Sequence, residues 1–451
     1  MIPALILFGG MLAEPLCGQN DAGRLMREWA AINAAPLAET NEDAPVGADL
    51  RQLQEAIGSA KVIAFGEPVH GAHEPLAARN RFIRYAVAEL GVTAIGLETG
   101  IGTAKVLYDY VLGAPDPGEP ALRNAFSYGF GDLSENLQLL RWIRVWNASR
   151  PANRKVRLYG YDLSGQLFPY AYHSVEAALS FIERADPKLG AVLRSDDAEL
   201  VANLRADRYL TLNQQGRDAL TRRIQDLIAT IKRERDVLVA GGSLDDYDWA
   251  LQEAIAAAQD DDYLRALPGN GLELFTAPRA QKRDVRWEHA FEMREIAMAQ
   301  NVEWIQHRTE GRTLIFAHVL HLQKVAHDIT GADAYRFPIV TFRSCGYYLK
   351  ARYSGEYVVI ASLYGRGEGF KPDEVPLPGD EIARVFSAAT LDRYVVDLRK
   401  LPQRGALRAW FDAQQPVPTT LGLQLYDKLA LASAFDAIVW LGVVTPSRPE
   451  Q

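Results

Sequence analysis

The sequence predicts an α/β fold: a mainly parallel sheet flanked by helices, with a large helical insertion in the middle of the chain. Three observations predict it. Seven short apolar, β-branched runs end near a glycine or a polar residue, as buried strands do. Helical periods separate many of these runs, and near-continuous apolar strands alternating with helices imply a parallel sheet covered on both faces. Between about Tyr170 and Arg308 the strand signal gives way to long helical periodicity rich in charge.

The predicted strands are Lys61–Phe65, Thr93–Leu97, Lys155–Tyr159, Thr313–Ala317, Pro338–Phe342, Tyr357–Leu363 and Ala437–Leu441. In the middle, Asp218–Ala240, Leu244–Ala266 and Lys282–Arg308 read as helices. The chain thus divides into an N-terminal part of the α/β unit (20–169), the insertion (170–309) and a C-terminal part (310–451). Asp260-Asp261-Asp262 reads as a solvated surface stretch, because EF-hand spacing is absent. Residues 1–19 stand apart. Ile2–Ala13 is apolar and of signal-peptide length, which suggests a periplasmic or secreted protein; no Lys or Arg precedes it, so a cytoplasmic protein is the alternative.

Composition excludes several function classes. The chain has 451 residues and a net charge of −8, which argues against a nucleic-acid footprint or a basic membrane patch. No apolar run reaches the ~18 residues that a membrane-spanning helix needs. Cys17 and Cys345 form neither a disulfide framework nor a zinc-site spacing, and Cys345 reads as a small core residue. Oligomeric state is not legible.

Chemistry concentrates at the ends of the strands. Gly66-Glu67-Pro68-Val69-His70-Gly71-Ala72-His73-Glu74 packs acid–base groups into one strand exit. The next strands lead to Glu98, to Asp162 and to His318, with His321 one helical turn later. Ligands of parallel α/β sheets bind outside the carboxyl ends of the strands, so these groups converge on one edge. A polar residue after a strand also serves as a helix N-cap, the alternative for Asp162. After His70, Leu76, Ile83, Ala86, Val87 and Leu90 form a helical apolar stripe on which Arg79 falls. A buried guanidinium needs a carboxylate, and Glu67 and Glu98 are the natural partners, unless Arg79 reaches water near the helix start. Trp287, Phe291, Met298, Val302 and Ile305 form a second stripe, which carries Arg294 and Asn301; Asn301 reads as structural.

No G-x-S-x-G elbow, P-loop or dinucleotide loop is present. What remains is a site that activates water without a covalent intermediate. His70 takes the proton, a carboxylate holds its tautomer, and Arg79 or a second histidine stabilises an oxyanion. Glu67, His70, Arg79, Glu98, His318 and His321 are the expected catalytic set; His73, Glu74, Asp162 and Arg294 are the expected substrate-binding set. No cofactor and no metal are expected, since an arginine already supplies positive charge. A metal held by the same histidines and carboxylates is the alternative.

In order and spacing these motifs resemble the erythromycin esterase family. The strand running into G-E-x-x-H-G-x-x-E, the arginine-bearing helix, Leu97-Glu98, Val156–Asp162, Arg294-Glu295…Met298…Asn301…Trp304, Ala317-His318-Val319-Leu320-His321 and Phe435–Pro446 all match, over about Trp29 to Arg448. The resemblance implies hydrolysis of a small-molecule ester or macrolactone, with His70 as general base, and macrolide inactivation as one outcome. A metal-dependent hydrolase or peptidase, or a non-enzymatic protein related to envelope polysaccharide, is the alternative. Pro68-Val69 replaces the family's usual small residues, and Val319 its usual asparagine, so a different substrate choice is expected.

Overall fold

The computed structural model describes residues 19–37, 44–163, 172–203, 206–267, 288–331, 341–370, 380–418 and 425–447. The strands, in chain order, are β1 (Ala34–Pro36), β2 (Val62–Glu67), β3 (Val92–Gly100), β4 (Arg157–Asp162), β5 (Arg312–His318), β6 (Ile329–Gly331), β7 (Tyr357–Gly367), β8 (Arg393–Asp397), β9 (Gln414–Pro418), β10 (Leu425–Ala430) and β11 (Ala437–Val444). Eight of them form one sheet in the order β1-β8-β11-β7-β2-β5-β3-β4. The six strands from β11 to β4 run parallel. Only β8 runs against its neighbours β11 and β1. The fold is therefore the expected α/β architecture.

Both faces of the sheet are covered, which is why its strands are apolar almost throughout. Ile63, Phe65, Leu314 and Phe316 face helices Ala48–Ile57, His73–Glu89 and Ser134–Ala148. Val62, Ala64, Ile315 and Ala317 face the other layer, with Met26 of helix Gln19–Asn33 and Met298, Val302 and Ile305 of helix Glu288–His307. A separate apolar cluster holds the helices between β4 and β5 together. Ala290 and Ala297 join that cluster while Met298 and Val302 join the sheet, so helix Glu288–His307 links insertion to sheet.

Several expectations change. Thr341 and Phe342 are not in a strand; Phe342 stacks on His327 at 4.2 Å between ring centroids and accepts its backbone N–H. Pro338–Val340, Trp287 and the 1–18 segment with Cys17 lie outside the described residues. The helix expected over Asp218–Ala240 is two, Gln214–Arg233 and Arg235–Gly241. Asp260 and Asp261 are buried rather than solvated, because helix Leu244–Ala266 is packed on several sides. Asp261 accepts from the Tyr209 and Thr221 hydroxyls and pairs with Arg265. Strands β1, β6, β8, β9 and β10 were not expected: they are short, or carry proline and charge.

Glycine at position 66 is a packing requirement. A β-carbon there would lie 2.9 Å from Val319 Cα, where β5 leaves the sheet. Val319 is fully buried against Gly66, so this departure from the family pattern is packed into the core. Gly66→Ala is expected to lower stability by about 1–3 kcal/mol, the usual effect of overpacking. Chemical denaturation checks it, and an unchanged midpoint and slope contradict it.

Candidate active site

Strands β2, β5, β3 and β4 are consecutive in the sheet, and their carboxyl ends carry Glu67, His318, Glu98 and Asp162. Glu67 stands opposite His318 in register, and Gly100 opposite Asp162. Four side chains distant in sequence are thereby placed side by side.

Glu67 is buried, and its Oε1 lies 2.7 Å from His70 Nδ1. Its Oε2 has no hydrogen-bond partner among the described residues. Burial raises the Glu67 pKa, and the charge of Glu98 adds to this against the pull of His70 and Arg79. Burial alone would lower the His70 pKa, but the Glu67 hydrogen bond and the charge of Glu98 raise it overall. Both partners thus hold a proton more readily than in water. The His70 side chain is 30% exposed, so its other nitrogen, which has no partner among the described residues, is open to water. Its ring lies 5.0 Å from those of Phe130 and His318.

Glu98 is the hub of the buried charges. Its Oε2 accepts the His318 backbone N–H at 2.7 Å. Its Oε1 accepts from Arg294 Nη2 at 3.2 Å and lies 3.3 Å from His321 Nε2. Burial raises the Glu98 pKa, yet the charges of His321, His70 and Arg294 outweigh it and hold the carboxyl well below its usual range. Arg294 also binds Asp162 through Nε at 2.9 Å and Nη2 at 2.6 Å, a bidentate pair. His321 Nδ1 meets Glu295 Oε1 at 2.6 Å, and Glu295 Oε2 accepts the Cys345 N–H. Held between two carboxylates, His321 has its pKa raised to about 10 despite burial.

The expected residues therefore fall into different places. His318 has no free nitrogen: Nδ1 accepts the Leu320 N–H at 3.2 Å and Nε2 donates to Pro68 O at 3.2 Å. Burial and the neighbouring His70 hold its pKa well below 6.5. This geometry makes His318 a neutral brace between β5 and the β2 exit. Arg79 is buried; its guanidinium donates Nε and Nη2 to Asn80 Oδ1, lies 4.4 Å from the Phe316 ring centre and lowers the Glu67 pKa. Glu74 does not join the Glu98 network: it binds the Thr445 N–H and hydroxyl at 2.6 and 2.9 Å. His73 Nδ1 meets Glu135, which also accepts from Ser447. Both residues anchor the chain after β11. Asn301 joins Tyr161 O to Gln252, as its structural reading expects, and Cys345 is buried.

Two site residues went unread in the sequence, and Glu295 was named only within a family motif, without a role in the site. Glu295 neighbours Arg294 but lies off the stripe that singled Arg294 out. Tyr128 and Phe130 sit in a loop without periodicity; the Tyr128 hydroxyl donates to Asp162 Oδ2 at 2.9 Å. Among the described residues no group of three or more His, Cys, Asp or Glu side chains could hold a metal ion.

The chain belongs to the erythromycin esterase family, whose model matches residues 87–444. It is similar to erythromycin esterase type II of Escherichia coli, 22% identical over 444 residues, which cover 91% of this chain and 96% of that one. The Gly66–Glu74 motif precedes the stretch matched by the family model. Among solved structures the chain resembles a succinoglycan biosynthesis protein (TM-score 0.75, 21% identity, 95% of this chain and 99% of that one). It also resembles an erythromycin esterase mutant in its open conformation (TM-score 0.61, 18% identity, 88% and 94%). These relationships support a hydrolase, and the structural likenesses at this identity establish the fold alone.

The His321 pairing has a pH signature. Below pH 6.5 folded and unfolded chains both hold the proton, and its stabilisation is fully present. Between 6.5 and about 10 only the folded chain holds it, so stability falls as pH rises, by up to about 1.4 kcal/mol per pH unit. Denaturant unfolding of parent and His321→Gln across this range checks it. The parent is expected to lose stability relative to the variant, and parallel curves contradict the pairing.

Proposed function

We propose that the protein hydrolyses a carboxylic ester or lactone with water activated at His70, without a serine or cysteine nucleophile. The observation that carries this reading is the Glu67–His70 pair: a buried carboxylate on Nδ1 and a solvent-facing, unpartnered Nε2 at the end of a parallel strand. Glu67 accepts the Nδ1 proton and fixes the tautomer that leaves Nε2 basic. Water gives a proton to Nε2 as its oxygen adds to the carbonyl carbon. The oxyanion so formed meets Arg294, whose Nη1 has no hydrogen-bond partner among the described residues while Nε and Nη2 are fixed on Asp162. A preorganised donor of this kind stabilises the charge as it develops. When the C–O bond breaks, the His70 imidazolium returns its proton to the leaving alkoxide, giving an acid and an alcohol.

Family membership and the name of the Escherichia coli relative put a macrolide lactone among the first substrates to test. A panel of erythromycin, simple lactones and aryl esters tests the reading. His70→Ala is expected to lower kcat by about 10²–10⁴-fold, the usual contribution of a general base. Because His70 is raised from 6.5, kcat/KM is expected to climb with pH through an inflection above that value in the parent only. Equal turnover by parent and His70→Ala overturns the assignment of the base. Activity in the parent that is lost on exhaustive chelation favours the metal-dependent alternative.

A further inference from the structure

The loop Ser127–Asp132 spans the two groups the reaction uses. At one end Phe130 stacks beside His70 at 5.0 Å between ring centroids. At the other, the Tyr128 hydroxyl binds Asp162 and its ring lies under the Arg294 guanidinium, 5.7 Å from Cζ to the ring centre. The two aromatic rings touch each other at 5.5 Å. The two rings thus bridge the proposed base and the proposed oxyanion donor.

This loop is built, not draped. The Ser127 N–H donates to Thr99 Oγ1 at 2.6 Å, and the Gly100 N–H donates to Ser127 Oγ at 2.9 Å, a reciprocal clamp on the end of β3. Asn136 Nδ2 donates to Phe130 O at 2.8 Å. A β-carbon on Gly131 would meet Arg123 O at 2.1 Å, so the backbone there is pressed against its neighbour. Within this frame Tyr128 has a φ of +58°, a left-handed conformation rare for a bulky residue and concentrated at ligand-binding and active sites. Strain that turned the ring into the core would serve packing. Here it leaves a large aromatic side chain 38% exposed beside the proposed base and oxyanion donor.

We propose that Tyr128 and Phe130 form an aromatic platform that seats the apolar body of the substrate next to the scissile carbonyl, so that the protein selects esters or lactones with an extended apolar face over small acyl groups. The proposal rests on the hydrolytic reading for its chemistry, but its geometry is independent of it. Aromatic rings of this kind give large contact area with few rotatable bonds, which suits a fixed binding surface.

Two measurements on parent, Phe130→Ala, Tyr128→Gly and Tyr128→Phe test it. The first is the ratio of kcat/KM for p-nitrophenyl octanoate to that for the acetate. It is expected to fall at least about tenfold in Phe130→Ala and Tyr128→Gly, an apolar contact effect of ordinary size, and to be kept in Tyr128→Phe, where the ring remains. Glycine accepts the left-handed φ, so Tyr128→Gly removes the ring without new backbone strain. The second is calorimetric binding of unreactive N-octylacetamide, expected to weaken about fivefold or more in the same two variants. Binding that weakens so while the parent hydrolyses neither ester overturns the hydrolytic reading and keeps the platform. A ratio and an affinity that stay at parental values in Phe130→Ala and Tyr128→Gly, or no binding of the amide by the parent, overturn the platform.

Discussion

Glu98 carries a buried negative charge that three other elements answer. Its oxygens receive the backbone N–H of His318, the Arg294 guanidinium and the His321 ring. An isolated carboxylate in such surroundings would be very costly, so each of these contacts is a condition for the fold as well as for the site. The constraint propagates. Asp162 holds Arg294 through Nε and the same Nη2 that reaches Glu98, and Glu295 holds the other nitrogen of His321. Four buried carboxylates, Glu67, Glu98, Asp162 and Glu295, face three cations, Arg79, Arg294 and His321. Burial raises the proton affinity of Glu67, and the Glu67 hydrogen bond with the charge of Glu98 raises that of His70. The charge of Glu98 thus reaches the proposed base alongside its direct partner Glu67.

The fold makes this balance possible by supplying each charge from a separate, rigid element. β2, β5, β3 and β4 stand side by side, and helix Glu288–His307 lies across the layer that covers them. Close approach is required where β2 and β5 open: Gly66 lies against Val319, and Pro68 O takes the His318 ring proton. The Pro68-Val69 departure therefore works through backbone geometry. Pro68 contributes a carbonyl, and Val69 is buried in the core.

The sheet and the charge-bearing strand ends were legible because parallel strands bury both faces and end where a ligand binds. Val62–Glu67, Val92–Gly100 and Arg312–His318 extend the predicted runs by only a few residues. Arg79 and Arg294 were legible as charges out of place on apolar stripes. Other features depend on contacts that no spacing encodes. The two hydrogen bonds that occupy both His318 nitrogens join it to Leu320 and Pro68, and no sequence spacing announces either. Asp260 and Asp261 looked solvated because three adjacent carboxylates usually are, whereas Tyr209, Thr221 and Arg265 partner Asp261 inside the insertion. Glu74 had the position of a first-turn helix residue, and only the return of the chain after β11 gives it Thr445.

Three histidines in one site are thus assigned three protonation states by their partners. Nitrogen-detected NMR of the imidazole rings across the pH range reads these states directly. The account predicts His321 doubly protonated at neutral pH and titrating near 10, His318 neutral with its proton on Nε2 throughout, and His70 titrating above 6.5 with a retained Nδ1 proton. A neutral His321 at neutral pH, or a His318 that titrates near 6.5, would contradict the charge balance around Glu98.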